Sequence, residues 1–104
     1  MNVYAIAQLW IHDPPTYGRY VRRFMDVFKN YQGRVLAAHE SPAVIEGSWD
    51  ADKVVVISFP DEPSFRAWAE STEYLEIAKD REAAAKSVIV LVKGIASHGD
   101  VPKT

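Results

Sequence analysis

The sequence predicts an α+β domain of βαββαβ order. Its apolar pattern changes period from strand to helix, strand, strand, helix and strand along 104 residues. Each helical stretch opens on a capping residue or a proline, and each strand stretch is apolar on alternate positions or throughout. A chain of this length fits one domain. Within one domain that order is the split-βαβ, ferredoxin-like arrangement, with an antiparallel sheet in the order 4-1-3-2.

The first strand, Val3 to Ile11, puts Val3, Ala5, Ala7, Leu9 and Ile11 on one face and Tyr4, Ile6, Gln8, Trp10 and His12 on the other. Both faces are mostly apolar. Asp13 is the N-cap of a helix spanning Pro14 to Tyr31, with Pro14 at the first position, where a missing N–H is harmless. Tyr17, Tyr20, Val21, Phe24, Phe28 and Tyr31 form its inward stripe, and Gly33 is read as its C-terminal signal. Arg34 to His39 and Lys53 to Phe59 are strands. After Ser41–Pro42, the segment Ala43 to Ser48 is expected to form a short extra strand. It would hairpin with Lys53 to Phe59 through Trp49, Asp50, Ala51 and Asp52. Glu62 to Ala85 is helical but breaks at Ser71, a fresh N-cap ahead of Tyr74, Leu75, Ala78 and Arg81. Ser87 to Ile95 is the last strand, and Val88 to Val92 leaves it no polar face. The domain is expected to occupy residues 1–96, with 97–104 a flexible tail.

Helices in this order cover one face of the sheet, so the apolar outer face calls for a partner. A homodimer through that face is the expectation. Composition narrows the rest: 48% hydrophobic and 25% charged residues are ordinary globular usage. A net charge of −2, with Arg22–Arg23 the only adjacent basic pair, offers no nucleic-acid footprint. Cysteine is absent, which removes disulfides, thiolate nucleophiles and cysteine zinc sites. No apolar run is long enough to span a membrane, and a cytoplasmic protein is expected.

The topology gathers His12, Asp13, Tyr17, Tyr20, His39, Glu40, Lys53, Arg81 and Lys86 toward one sheet edge, with Glu46 and Trp49 in the connecting hairpin. Acids, bases and aromatic walls together are the make-up of a small-molecule site. His39 is either a solvated strand end or a base suited to neutral pH. Glu46, inside Val44–Ile45–Glu46–Gly47, either faces outward or is buried with a cation, and Arg81 is the expected partner. Arg81 otherwise serves the helix dipole. Tyr17, Tyr20, Trp49 and Tyr74 are core or pocket wall. His12 and His39 sit poorly for a shared metal because a strand lies between theirs, and no phosphate-cradling glycine loop or nucleophile elbow is present. No metal or cofactor is expected.

Several short elements recur in a fixed order: Asp13–Pro14 with Tyr17 and Tyr20, Tyr31–Gln32–Gly33–Arg34, Glu46–Gly47–Ser48–Trp49, and Phe59–Pro60. Trp68, Ser71–Thr72–Glu73–Tyr74, Arg81 and Val92–Lys93–Gly94 complete the series. From Tyr4 to Gly94 the chain resembles the family called domain of unknown function 1330, in the dimeric α/β-barrel superfamily. Gln32 stands where a second glycine is common and Lys93 where an acid is common. The resemblance implies a ferredoxin-like protomer whose sheet packs on that of a second copy. It implies no activity, because the family carries none, while the superfamily spans cofactor-free monooxygenases, isomerases, haem-degrading enzymes and proteins without known chemistry. Two readings follow for the cleft. One is a cofactor-free enzyme transferring protons on an aromatic or carbonyl substrate, with His39 or Glu46 as base and Arg81 holding the anion. The other is a ligand-binding, regulatory or structural dimer without catalysis.

Overall fold

The computed structural model describes residues 2–95, so the expected tail lies outside the described residues. The elements are β1 (Val3–Ile11), α1 (Pro14–Phe28), β2 (Arg34–His39), β3 (Lys53–Phe59), α2 (Glu62–Ala69), α3 (Thr72–Ala84) and β4 (Ala85–Lys93). The sheet runs β2-β3-β1-β4, which is the predicted order read from the other edge, and every pairing is antiparallel.

The caps form as the sequence predicts. Asp13 accepts from the Thr16 N–H and hydroxyl at 3.3 and 2.8 Å, satisfying a donor that the first helical turn leaves free. Ser71 accepts from the Tyr74 N–H at 3.1 Å and starts α3 afresh. His12 and Asp13 also donate their backbone N–H groups to the Ala84 carbonyl, which ties the entry of α1 to the end of α3. Arg19 of α1 reaches Asp80 of α3 at 3.1 Å, an exposed pair that adds little by itself.

Three local readings change. The first helix ends at Phe28, because Asn30 and Tyr31 donate to carbonyls only three residues back and tighten the chain into a 3₁₀-like turn. Gly33 has no left-handed backbone; it is small because a Cβ there would run into Phe28 and come within 2.7 Å of Phe59. Ala43 to Ser48 is not a strand. Both edges of β3 are already taken, by β1 and by β2, and no ladder is left for it. β4 starts two residues earlier than expected, since Ala85 already pairs with Ile11.

Register assigns the faces. Val3, Ala5, Ala7 and Leu9 stand beside Phe59, Ile57, Val55 and Lys53, beneath the helices. Tyr4, Ile6 and Gln8 stand beside Ser58, Val56 and Val54 on the outer face, where Val88, Val90 and Val92 of β4 are 44%, 48% and 40% exposed. The core is aromatic: Trp68 packs against Phe24, Phe28, Phe59, Phe65 and Tyr74.

Gly33→Ala is expected to cost about 1–3 kcal/mol by overpacking. Gly47→Val costs on the order of 1–3 kcal/mol, because Gly47 sits at φ 85° in otherwise open space. Pro14→Ala stays within about 0.5 kcal/mol, as it only pre-orders a helix start. Urea unfolding of the three variants checks the order; a Pro14 loss equal to that of Gly33 would contradict it.

Candidate functional site

A cavity of about 410 Å³ lies between the helices and the sheet. Its origin is steric. Ala5 and Ala7 on β1, Ala38 on β2, and Ala69 and Ala78 on the helices put small side chains along its walls, while the Trp68 cluster holds the layers apart at one end. The remaining walls are apolar or aromatic, including Val21, Phe24, Met25 and Leu75.

Glu82 lines the wall next to Arg81 in sequence, and the other polar groups enter at two places. At the floor, the Tyr20 and Tyr74 hydroxyls lie 2.8 Å apart and share a hydrogen bond. Arg81 lines the cavity beside them, its guanidinium 6.0 Å from the Tyr20 ring. Its Nη1 donates to Ser87 Oγ at 3.0 Å, and its Nε is sealed from solvent without an acceptor. No carboxylate of the described residues forms an ion pair with Arg81. At the neck, Lys53 Nζ sits 4.9 Å over the Tyr17 ring, a cation–π contact. Lys53, Tyr17 and Val21 also line a second, more polar cavity of about 560 Å³ with Arg22, Glu40 and Asp52. The two spaces share Tyr17, Val21 and Lys53, and the outer one is termed the vestibule on that ground. Asp52 fixes its rim by accepting from the Ile11 N–H at 2.8 Å.

Burial shifts these groups. It pushes the Tyr17 hydroxyl up to about 12, although the Arg81 charge pulls the other way. It raises Tyr20 still further, with Tyr74 adding to the effect. Burial lowers the Lys53 ammonium below its ordinary value, against Glu40, which favours the charge.

Of the residues nominated from sequence, Tyr17, Tyr20, Tyr74 and Arg81 share this cavity. His39, Glu46 and Trp49 do not line it. His39 is in register with Val54, on the outer face of the sheet. Glu46 is exposed in the β2–β3 connection, next to Ile45 at 93% exposure. The expected Glu46–Arg81 pair does not form, because Arg81 turns inward to Ser87 while the connection carries Glu46 outward. Trp49 folds back on its own loop, its indole N–H donating to the Ala51 carbonyl at 3.1 Å. Lys53 was within reach of sequence reasoning, since Lys53, Val55, Ile57 and Phe59 alternate as the inward set of β3. Among the described residues no group of three His, Asp or Glu side chains could hold a metal ion. No described helix is long and apolar enough to cross a membrane.

The family model for a domain of unknown function, DUF1330, matches residues 2–95. The chain belongs to that family. No curated protein matches it significantly. Among solved structures, this DUF1330 chain is similar to a protein of unknown function from Rhodopseudomonas palustris, at TM-score 0.77 and 18% identity over 92% of this chain and 84% of that one. It is also similar to SnoaB, a cofactor-independent oxygenase from Streptomyces nogalater, at TM-score 0.68 and 15% identity over 94% and 97% of the two chains. A dimeric ferredoxin-like protein of unknown function from Thermobifida fusca follows at TM-score 0.63 and 15% identity, over 88% and 89%. Identities this low establish the ferredoxin-like fold alone.

Tyr20→Phe is expected to cost about 1–3 kcal/mol, because it strands the buried Tyr74 hydroxyl. Adding Tyr74→Phe costs less than the sum of the single changes, a coupling that thermal unfolding of the double-mutant cycle measures. Raised tyrosine values also set a pH limit. The stability they contribute is whole below about pH 10, where folded and unfolded Tyr17 both keep the proton, and is lost as pH rises toward about 12. Absorbance titration of tyrosinate alongside circular dichroism checks this; buried tyrosines ionising near pH 10 in the folded protein would contradict it.

Proposed function

We propose that this protein is a homodimer that binds a small, mostly apolar molecule through a phenol, enol or carboxyl oxygen, and that it supports cofactor-free proton transfer on that molecule. One observation carries the reading. Arg81 borders an apolar cavity with no carboxylate paired to it among the described residues. A half-buried cation in such walls favours an anion over a neutral guest. It also stabilises negative charge as it develops on an enolate or phenolate oxygen. The Tyr17 hydroxyl adds a donor at the neck, as it makes no hydrogen bond to another described residue. The likeness to a cofactor-independent oxygenase is compatible with this chemistry, at the level of the fold.

A non-catalytic binder uses the same groups. The position of His39 and Glu46 away from the cavity favours it, since neither is then at hand as the base. The two readings separate on one measurement, the exchange of an acidic C–H of a bound 1,3-dicarbonyl in heavy water, followed by NMR. Enzyme-dependent exchange that falls in Tyr17→Phe supports catalysis. Binding without exchange supports the plain binder.

Support for the dimer comes from the open outer face, where Ile6, Val56 and Val90 lie side by side. Dimeric ferredoxin-like neighbours add to it. Val90→Glu is expected to give a folded monomer in sedimentation at micromolar concentration, while the parent sediments as a dimer. Ala7→Leu fills the cavity without touching a charge. It should abolish the thermal shift that aromatic acids give the parent and leave the ligand-free Tm within a few degrees, on the order of a 1 kcal/mol change. An undiminished thermal shift in Ala7→Leu would exclude this cavity as the binding site.

A further inference from the structure

The cavity holds a second cation whose place in the sheet is fixed. Lys53 and Ser87 flank Leu9 from opposite sides, on the face beneath the helices. Ser87 is the residue to which Arg81 donates. The anchors of the two cations are therefore two strand spacings apart, about 10 Å between backbones. Leu9 lies between these anchors and Tyr17 lines the same cavity; Glu82 also lines it, but neither Glu82 nor any other acid of the described residues forms an ion pair with either cation. Glu40 and Asp52 stand on the vestibule side of Lys53. Two cations without an ion-pair partner in one largely apolar cavity raise its free energy when it is empty of anions. They lower it when one guest reaches both.

Resting on the reading of the cavity given above, we propose that its ligand is bifunctional: a flat apolar body about one substituted ring long, with a phenol or enol oxygen at Arg81 and a carboxylate at Lys53. Lys53 is then the specificity-determining contact. It stands where the inner cavity meets the vestibule, so the carboxylate stays at the neck while the body is buried. The tyrosine face beneath Lys53 keeps the ammonium in position when no anion is present. Burial weakens the hydration of that ammonium, which strengthens its contact with an arriving carboxylate.

Three probes test this by calorimetry: 3-(4-hydroxyphenyl)propanoate, its methyl ester, and its 4-methoxy analogue. In the parent the acid is expected to bind about tenfold or more tighter than the ester, the range of one charge-assisted hydrogen bond. Lys53→Met should bring acid and ester to within about twofold of each other, and Lys53→Arg should keep the preference. The loss on methylating the phenol should be the same in the parent and in Lys53→Met, since that end is held elsewhere. Equal binding of acid and ester by the parent overturns the inference, as does a preference that survives Lys53→Met; either leaves the cavity reading standing. Absence of saturable binding by all three probes in the parent overturns the cavity reading and this inference together.

Discussion

The site depends on a mismatch of side-chain size between the two ends of one layer. At one end Trp68 is wedged among Phe24, Phe28, Phe59 and Phe65, and it fixes how far the helices stand from the sheet. At the other end the inward residues of the central strand are Ala5 and Ala7, with Ala78 above them. A close-packed interior would collapse over residues that small. Here the aromatic cluster prevents it, and the space between the layers remains as the cavity. Gly33 belongs to the same arrangement, because only a residue without Cβ lets the chain pass Phe28 and Phe59 at the base of the cluster.

Charge then decides what the space can hold. Several acids and bases at the surface of this chain are paired, as in Arg19 with Asp80 and Arg66 with Glu62. The cations that face the cavity form no such pairs among the described residues. Arg81 is satisfied in part by Ser87, and Lys53 by the face of Tyr17. Hydroxyls and a ring offset only some of the cost of drawing a cation out of water. A domain of this size has a modest margin of stability, so two such groups are a notable cost that an anionic guest would remove.

Much of this was legible in the sequence, and for a common reason. Periodicity and caps report local and two-layer geometry, so Asp13, Ser71 and the inward stripe Tyr74–Ala78–Arg81 are where the pattern puts them. The order of the sheet followed from the order of the elements. The β2–β3 connection was not legible. Its residues Ala43 to Ser48, with Val44 and Ile45, read as a short extra strand hairpinned to β3, yet β3 had no free edge to receive one. Apolar content predicts burial only where an element is available to bury against. His39 lies away from the cavity for a different reason. A shift in the β2 ladder between Val35 and Ala37 settles which face each later residue takes, and such a bulge leaves no reliable mark in sequence.

The two faces of β1 separate the roles of the molecule. Residues beneath the helices make the cavity, and Tyr4, Ile6 and Gln8 lie on the outer face of the sheet, the face proposed above for a second copy. That division belongs to the fold and is compatible with many chemistries. The similar solved structures are 15–18% identical to this chain, too little to carry a reaction across. In this chain Lys53 pairs with the ring of Tyr17 at the neck and Arg81 with Ser87 at the floor. Lys53 and Ser87, the serine to which Arg81 of α3 donates, lie on one row of the sheet with Leu9 between them, so hydrogen-bonded strands rather than loops set the spacing of these two anchors. Under the proposal above, two like charges held at a fixed spacing would select a guest by its length as well as its charge.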